Sequence, residues 1–460
     1  MKTEIKSLFL LFVLIAALGS MLAGRVTAQT FTTLYSFTPL APNGTNGDGA
    51  YPQGMVLSGN TLYGMVSHGG SSGNGTLFAL KTDGTGFTNL HNFTSDGGNP
   101  GGVVISGNTL YGTTSDTVFK INTNGMGFST LRGGLYPLGA VIISASTLYG
   151  TTALGGSSGD GSVFALNTDS GFFWTLYSFT GGSDGDTPLA QLVISVTTST
   201  LYGTTIEAFT GGSGTVFAIN TNGMGFRTLH SFNSSSDGNG GFVGLILSGN
   251  TLYGVSEGGG SSGNGTVFAL NTDGTGFTNL HNFTATSGPS GTNSDGANPP
   301  GLIVSGNTLY GTAANGGSAG HGTIFAINTD STGFRTLYSF SATTQTYGIN
   351  TDGTNPAGGV VLSGNALYGT ATYGGSSGNG TVFSLSFRPQ LTIIPSGENV
   401  ILTWPTNSAG FDYTGYTLQS TTNLVSPVWT TNSPAPVVVN GQNTVTNPIS
   451  GTQQFYRLSQ

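Results

Sequence analysis

The sequence predicts an all-β protein in which a seven-bladed β-propeller, closed by an N-terminal strand, is followed by a small β-sandwich. The tripeptide Leu-Tyr-Gly occurs seven times at intervals of about 50 residues, which is the length of one four-stranded propeller blade. Each copy precedes a Gly/Ser-rich loop and then Thr-Val-Phe-Ala-Leu or a close variant. The copies begin at Leu62, Leu110, Leu148, Leu201, Leu252, Leu309 and Leu367.

The fifth copy illustrates how one repeat predicts one blade. Residues 244–247 form a short apolar first strand, which ends at the turn-forming sequence Ser-Gly-Asn. Residues 251–255 and 266–270 form the second and third strands, joined by a glycine-rich loop without an apolar anchor. Residues 277–283 form the fourth, outer strand. Both faces of the third strand are apolar, as expected for a sheet that packs between two neighbouring sheets.

The two ends of the repeat array predict how the ring closes. The outer-strand sequence also stands at residues 31–37, before the first Leu-Tyr-Gly, and it is missing after Phe383. We expect residues 31–37 to supply the fourth strand of the seventh blade, because this pairing hides two free sheet edges. A right-handed β-helix is the alternative architecture, but its coils usually run shorter and need no displaced strand. The propeller is predicted to span residues 29–387.

These units resemble the GloVer tandem repeat of secreted bacterial proteins, with its choice-of-anchor C-termini. The pattern runs Asp-Gly-x-x-Pro, apolar strand, Leu-Tyr-Gly-Thr-Thr, glycine-rich loop and Gly-Thr-Val-Phe, and residues 31–386 match it throughout. The resemblance implies a propeller-like fold and an exported or cell-surface protein, and it implies no catalytic residues. The second unit departs from the pattern, because its loop shrinks to Ser115-Asp116 and its outer strand breaks at residues 132–134. We expect that blade to be the most irregular.

Residues 388–460 are predicted to form a separate β-sandwich. Glycine thins after Leu391, while Thr, Val, Asn and Pro dominate. The short alternating strands resemble a minimal fibronectin type III module, with Trp404 and Tyr416 expected in its core. The predicted strands are residues 391–394, 399–404, 415–420, 428–431, 436–439 and 454–458.

Residues 1–28 are predicted to be a secretory signal peptide. Lys2 and Lys6 precede an apolar run, and Val26-Thr27-Ala28 is a small-residue cleavage site. A retained membrane anchor is the alternative. We expect a secreted or cell-surface protein that is monomeric and has no membrane span after cleavage.

The amino-acid composition limits which kinds of partner the protein is expected to bind. The 18 acidic residues outnumber the 10 basic ones, so we expect no binding to nucleic acid, whose phosphates require cations. There is no cysteine, so no disulfide holds the fold. We expect an extracellular carbohydrate or protein as the partner.

Six aspartates are the candidate ligand-binding residues. They belong to a recurring Asp-Gly-x-x-Pro sequence, partial in one copy, in the loop that leads from an outer strand to the next inner strand. Each carboxylate either shapes the turn, with proline fixing the strand entry, or joins a rim of acceptors that holds a cation, a sugar or a partner chain. The sequence favours the turn role, and calcium is the only cofactor considered. The residues are Asp48, Asp96, Asp184, Asp237, Asp295 and Asp352.

No metal site is expected from the five scattered histidines. His91, His230 and His281 occupy an outer-strand position that holds tyrosine in other repeats, which indicates a structural role. His68 and His321 stand in glycine-rich loops, where a lone histidine is usually solvated.

Glu207 and Glu257 are the only glutamates of the repeat region and form the alternative catalytic pair. Both stand between the second and third strands of adjacent repeats, so they should lie on one face, and a glycosidase needs two carboxylates. Chance explains the pair better, so the leading hypothesis is a non-catalytic binding or scaffold protein. A carbohydrate-active enzyme, either a glycoside hydrolase or a lyase, is the alternative, and a surface adhesion component is a third hypothesis.

Overall fold

The computed structural model describes residues 28–94, 97–206, 213–239, 244–344, 348–408, 411–449 and 453–459. These residues form β-strands and loops, and none of them lies in a helix long and apolar enough to cross a bilayer. The chain divides into two compact units, one of Phe31–Leu385 and one of Ser386–Gln460 with Met1–Thr30. Apart from Ala28, the predicted signal peptide lies outside the described residues.

Seven four-stranded sheets account for the repeats. The first strand of the chain, β1 (Ala28–Ser36), belongs to the last of them, sheet 7. Sheet 1 contains β2 (Ala50–Ser58), β3 (Thr61–His68), β4 (Thr76–Lys81) and β5 (Thr88–Asn92). Sheet 2 contains β6 (Gly102–Ser106), β7 (Thr109–Thr113), β8 (Val118–Asn122) and β9 (Ser129–Arg132). Sheet 3 contains β10 (Ile142–Ser144), β11 (Thr147–Thr152), β12 (Ser162–Asn167) and β13 (Phe173–Ser178).

The remaining sheets follow the same order. Sheet 4 contains β14 (Val193–Ser195), β15 (Thr200–Thr205), β16 (Thr215–Asn220) and β17 (Arg227–Ser231). Sheet 5 contains β18 (Ile246–Ser248), β19 (Thr251–Ser256), β20 (Thr266–Asn271) and β21 (Thr278–Asn282). Sheet 6 contains β22 (Gly301–Ser305), β23 (Thr308–Ala313), β24 (Thr323–Asn328) and β25 (Arg335–Ser339). Sheet 7 contains β26 (Val360–Ser363), β27 (Ala366–Ala371) and β28 (Thr381–Arg388), with β1 beside β28.

The glycine of each Leu-Tyr-Gly makes room for a phenylalanine of the third strand. In sheet 5, Gly254 lies directly opposite Phe268 in the antiparallel register. A methyl group on Gly254 would lie less than 3.0 Å from the Phe268 ring, which is 1% exposed. The repeated tripeptide is therefore a packing device. The other pairs are Gly64–Phe78, Gly112–Phe119, Gly150–Phe164, Gly203–Phe217, Gly311–Phe325 and Gly369–Phe383.

Neighbouring sheets share buried cores, because both faces of the middle strands are apolar. Between sheets 5 and 6, Val267 packs in one cluster with Leu309 and Phe325. A similar cluster contains Val382 of sheet 7 and Leu62 of sheet 1. Sheet 7 therefore contacts sheet 1 as well as its sequence neighbour.

Planar stacks also join the fourth strands of consecutive sheets. Tyr177 of sheet 3 stacks on Phe226, with ring centroids 3.7 Å apart and an interplanar angle of 1°. In sheet 2 the equivalent residue is Arg132, whose guanidinium lies 5.0 Å above the Phe173 ring. Aromatic pairs of this kind contribute about 0.5–1.5 kcal/mol beyond the area that they bury. The other stacks are Tyr35–Phe87, His91–Phe128, His230–Phe277, His281–Phe334 and Tyr338–Phe31.

Strand β1 completes sheet 7. Just after the strand, the Phe37 amide donates to the Gly380 carbonyl at 3.1 Å, and the Ser376 amide donates to the Ser36 hydroxyl at 2.9 Å. The Phe37 side chain is fully buried. Residues 31–37 thus lie beside β28, the neighbour that the displaced outer-strand sequence predicts, and not beside β4.

Sheet 2, which the sequence predicts to be irregular, keeps all four strands. Its last strand, β9, ends at Arg132, immediately before Gly133 and Gly134. The interruption shortens the strand without removing it.

The smaller unit contains two main antiparallel sheets, of four and three strands. The larger has the order β29 (Thr392–Ser396), β30 (Asn399–Pro405), β36 (Gln442–Pro448) and β35 (Val437–Val439). The smaller has the order β34 (Thr430–Thr431), β33 (Thr417–Thr421) and β37 (Phe455–Ser459). Two short strands, β31 (Asn407–Ser408) and β32 (Phe411–Asp412), form a separate pair.

This unit differs from the sequence prediction in one core residue and in one strand. Trp404 is fully buried as predicted, and it packs with Leu418. Tyr416 is only half-buried, whereas Tyr413 is fully buried, so the core tyrosine was misassigned by three positions. Strand β36, which pairs with both β30 and β35, was also missed.

Candidate functional site

Two kinds of loop lie at the same end of the sheets, as far as the structure describes them. The Asp-Gly-x-x-Pro loops lead into the first strands, and the glycine-rich loops join the second strands to the third. Backbone bridges tie them together, for example between Ala297 and Asn315 and between Thr354 and Tyr373. We call the surface formed by these two sets of loops the loop face.

The candidate aspartates lie beneath this face, with their carboxylates turned onto the preceding fourth strand. Asp352 accepts hydrogen bonds from the Tyr338 hydroxyl at 2.8 Å and from the Ser341 amide at 2.8 Å. The Ser341 hydroxyl donates to its other oxygen. The same arrangement holds Asp48, Asp184 and Asp295, with Tyr35, Tyr177 and His281 as the ring donors.

Asp237 follows the same pattern with different partners. Its carboxylate lies 2.8 Å from Nε2 of His230, and the Ser236 hydroxyl donates to its other oxygen. All five described aspartates are at most 8% exposed. Their oxygens are therefore used within the protein, which favours the structural role over a rim of free acceptors. The sixth, Asp96, lies outside the described residues.

Hydrogen bonding lowers the pKa of Asp184, Asp237 and Asp295 despite their burial. Burial raises the pKa of Asp184, but donors from Thr180 and Tyr177 outweigh it, so the pKa lies below its usual value. Asp295 behaves likewise, with His281 and Thr284 as the donors that lower its pKa against burial. Burial and the hydrogen bond to Asp184 raise the pKa of Tyr177 to about 12. In the Tyr177–Asp184 pair, the phenol therefore donates to a carboxylate.

The structure explains why tyrosine and histidine share one position. Either ring can stack on the next sheet and donate a hydrogen bond to an aspartate. Where the loop has Tyr136-Pro137 instead of Asp-Gly-x-x-Pro, the position is Arg132, which keeps the stack without the carboxylate. Comparing this position with the following loop across repeats would have revealed the pairing from the sequence.

The residue before each loop proline has a left-handed backbone. Tyr51 has φ of 62° and Asn298 has φ of 55°, a region that costs a non-glycine residue about 1 kcal/mol or more. The Tyr51 amide donates to the Asn379 carbonyl at 3.0 Å, and the Asn298 amide donates to the Asn264 carbonyl at 2.9 Å. These bonds join each loop to the glycine-rich loop of the preceding sheet. The other residues with this backbone are Asn99, Tyr136, Thr187 and Asn355.

Sequence reasoning missed an aromatic cluster on the loop face. Tyr51 of sheet 1 lies between His68 of the same sheet and Tyr373 of sheet 7, with ring centroids 5.1 and 5.3 Å away. His68 is exposed, and both tyrosines are half-buried. The sequence signal was the tyrosine at position 51, where sheet 3 also has tyrosine but the other described repeats have Asn or Thr. His68 is solvent-exposed, as expected for a loop histidine, but its ring contact with Tyr51 was not predicted.

Of the two candidate catalytic glutamates, the structure describes only Glu257, because Glu207 lies outside the described residues. Glu257 is half-buried on the loop face, and desolvation raises the pKa of its carboxyl. Its backbone carbonyl accepts a hydrogen bond from the Asn298 side chain at 2.7 Å. Within the described ranges, no three His, Asp or Glu side chains are grouped as metal ligands.

The hydrogen bonds that the buried aspartates accept predict how Asp295→Asn affects stability. We expect a loss of about 1–3 kcal/mol, because an amide cannot accept all the donors that a buried carboxylate accepts. The folded pKa of Asp295 is lowered, so its contribution is complete above the unfolded pKa of about 4 and is lost as pH falls through the folded value. The difference between wild type and variant should therefore shrink in acid. Urea unfolding at several pH values measures it.

Asp273→Asn, on an exposed hairpin turn, is the matched control and should change stability little. Calcium should leave the Tm of both proteins unchanged if the buried aspartates serve only as internal hydrogen-bond acceptors. A calcium-dependent rise in wild-type Tm that disappears in Asp295→Asn would contradict this structural role and restore the cation-binding interpretation.

Comparison with known proteins supports a tandem-repeat family and a propeller-like all-β fold. Residues 117–299 match the Gloeobacter/Verrucomicrobia repeat. No curated protein matches the chain in sequence.

Several solved structures are similar in fold. The extracellular domain of a proposed hybrid two component system from B. thetaiotaomicron has 12% identity and a TM-score of 0.51, over 83% of this chain and 46% of that one. An oligogalacturonate lyase from Vibrio parahaemolyticus has 11% identity and a TM-score of 0.50, over 79% of this chain and 95% of that one. An oligogalacturonate lyase in complex with manganese has the same identity and TM-score, over 79% and 99%. At this identity the likeness concerns the fold alone.

Proposed function

We propose that this protein is an exported, non-catalytic binding protein that recognises a carbohydrate through its loop face. The observation that carries the proposal is the composition of that face. It presents tyrosine, histidine and asparagine side chains. The recurring aspartates that the structure describes are buried, and their carboxylates accept hydrogen bonds from within the protein. Aromatic rings with a few convergent polar groups are typical of ligand sites. A protein partner bound at the same face is the second candidate.

The proposal includes a closed seven-bladed ring. Every type of contact that joins consecutive sheets also occurs between sheet 7 and sheet 1. The Tyr35–Phe87 stack has centroids 4.0 Å apart, and Thr370 of sheet 7 donates a hydrogen bond to the Gln53 carbonyl at 2.6 Å. Closure of this kind leaves only short, protected strand edges in the repeat region. A rigid ring would hold the loops of all sheets in a fixed arrangement.

Export from the cell is the second part of the proposed function. Residues 1–28 have the charged start, apolar run and small-residue end of a signal peptide. One structure similar in fold is an extracellular domain. Cleavage after Ala28 would give a mature protein that begins at Gln29, the second residue of β1. The C-terminal fibronectin type III-like unit would act as a spacer.

A carbohydrate-active enzyme is kept as the alternative because of Glu257. A half-buried carboxyl with a raised pKa has the environment of a general acid. Two similar folds belong to oligogalacturonate lyases, but such substrates are anionic. The described arginines of the repeat region lie on the fourth strands β9, β17 and β25, and none of them lies in a loop of the loop face.

A glycan array combined with a hydrolysis screen separates these functions. The protein is purified from the medium of an expressing host, and mass spectrometry of its N-terminus checks cleavage after Ala28. We expect binding to at least one glycan without release of products. Glu257→Gln should bind equally well, as should the control Glu398→Gln in the C-terminal unit.

Product release by wild type that is lost in Glu257→Gln, but not in Glu398→Gln, would overturn the binding function in favour of the enzyme. Absence of any glycan binding would count against carbohydrate recognition and favour the protein partner.

A further inference from the structure

We propose that Tyr51, His68 and Tyr373 form a subsite for the ring of a neutral sugar, at the place where sheet 1 meets sheet 7. This inference rests on the proposed carbohydrate-binding function and assigns it to particular residues.

His68 is exposed and Tyr51 is half-buried, so a ligand can reach part of both rings. The Tyr51 ring meets His68 at an interplanar angle of 76° and Tyr373 at 60°. Both contacts are edge-to-face, so the ring faces do not cover one another. Such an arrangement forms an angled aromatic wall. The C–H face of a pyranose can pack on one ring while its hydroxyls remain at the edges.

Polar atoms at the cluster suit a ligand with hydroxyl groups. Nδ1 of His68 lies 2.9 Å from the Ser67 hydroxyl, and Nε2 is the ring nitrogen that could hydrogen-bond a ligand. The Ser67 hydroxyl also donates to the Tyr51 carbonyl at 3.3 Å, so the histidine and the strained backbone are coupled through one serine. The Tyr51 hydroxyl is hydrogen-bonded to no described residue. Imidazole and phenol can each both donate and accept.

Charge selects a neutral sugar over an anionic one. The described lysines and arginines of residues 31–385 all lie on third or fourth strands, and none lies in a loop of the loop face. A uronate or sulfated sugar would find no cation there to offset the cost of removing its charge from water. A neutral hexose or pentose carries no such cost.

The equivalent positions in other sheets do not repeat the cluster. In sheet 6 they are Asn298 and Asn315, whose amides hydrogen-bond each other at 3.1 Å. In sheet 3, Tyr136 is 53% exposed and stands before its proline with φ of 52°, but Leu154 occupies the partner position. Among the described residues, only the junction of sheets 7 and 1 brings aromatic rings from two sheets together on this face.

The backbone of Tyr51 adds an independent observation. Asparagine tolerates the left-handed region better than a bulky residue, and asparagine is present at the equivalent positions 298 and 355. Tyrosine at position 51 therefore costs stability that asparagine would spare. Strained residues held in place by their surroundings concentrate at ligand sites, and the ring itself is the feature that asparagine would lack.

Titration calorimetry with defined oligosaccharides tests the subsite. The neutral probes are cellohexaose, xylohexaose, mannohexaose and laminarihexaose, and hexagalacturonate is the anionic probe. We expect at least one neutral probe to bind, and Tyr51→Asn, His68→Asn and Tyr373→Asn each to weaken it at least tenfold. Tyr51→Phe, which keeps the ring, should retain most of the affinity. Tyr136→Asn makes the same substitution at an equivalent strained position and should change affinity less than twofold.

Tm measurements accompany each variant, and Tyr51→Asn should fold because asparagine suits this backbone. Neutral binding that all three substitutions leave intact would overturn the subsite while the carbohydrate-binding function stands. Preference for hexagalacturonate would overturn the inference of a neutral ligand. If none of the hexasaccharides binds, the subsite is wrong, and the protein-partner candidate of the proposed function is unaffected.

Discussion

Deletion of residues 31–38 is expected to unfold sheet 7 and to abolish the single cooperative unfolding transition of the repeat region. The segment carries Phe37, which is fully buried, and Phe31, which stacks on Tyr338 with centroids 4.1 Å apart. Truncating one buried phenylalanine costs about 3–5 kcal/mol, and loss of the whole strand also exposes the backbone edge of β28. The total is comparable with the stability of an entire domain, about 5–15 kcal/mol. Circular dichroism and hydrogen exchange of sheet 7 measure the effect.

A peptide of residues 29–38 provides the decisive control for this deletion. Added in excess, it should restore protection in β28, because an exposed edge accepts an added strand. A peptide with Phe31→Ala and Phe37→Ala should fail to do so. Thr32→Ala in the full chain changes an exposed side chain of the same strand and should have little effect. A deletion variant with unchanged cooperative unfolding would show that β1 is dispensable for sheet 7.

Gly254→Ala is expected to cost about 3 kcal/mol of unfolding free energy, at the upper end for overpacking a core. The new methyl would overlap the Phe268 ring, and this ring lies in a buried cluster between sheets 4 and 5. Gly47→Ala is the matched control, because its methyl would enter open space on a backbone that alanine adopts freely. Urea denaturation of both variants gives the difference.

A double-mutant cycle identifies the cause of the Gly254→Ala effect. If the methyl collides with the ring, Phe268→Leu should cost less in the Gly254→Ala background than alone, with a coupling of at least about 1 kcal/mol. Strict additivity would contradict the collision and point to backbone effects instead.

The repeated sequence motifs predict the sheets well because their residues pack against each other within one repeat. Leu-Tyr-Gly and Thr-Val-Phe-Ala-Leu mark two adjacent strands, and the Gly254–Phe268 contact explains why both phrases recur together. The position of β1 could be predicted because a missing outer strand at one end and an extra one at the other are both visible in the sequence.

Contacts between units were harder to predict. The Asp352–Tyr338 hydrogen bond joins residues 14 positions apart, but neither residue type by itself indicates a partner. The Tyr51–Tyr373 contact joins the first and last sheets, and no local sequence pattern indicates that residues so far apart in the chain are in contact. In the C-terminal unit, β36 was missed because Asn443 and Asn447 belong to a residue type that is depleted in strands. Its pairing between β30 and β35 overrides that propensity.

The position of β1 has a consequence for the order of events in folding. Ser36 and Ser376 are 340 positions apart in the chain, so their sheet can be completed only after nearly the whole repeat region has been synthesised. Bringing such distant segments together costs about 5 kcal/mol of chain entropy in an otherwise unstructured chain. That cost falls as the intervening sheets form and shorten the gap, which makes the joining of β1 to β28 a late step. A polypeptide that cannot complete sheet 7 until its C-terminal part has been synthesised stays unfolded for longer, and this delay would favour the export proposed above.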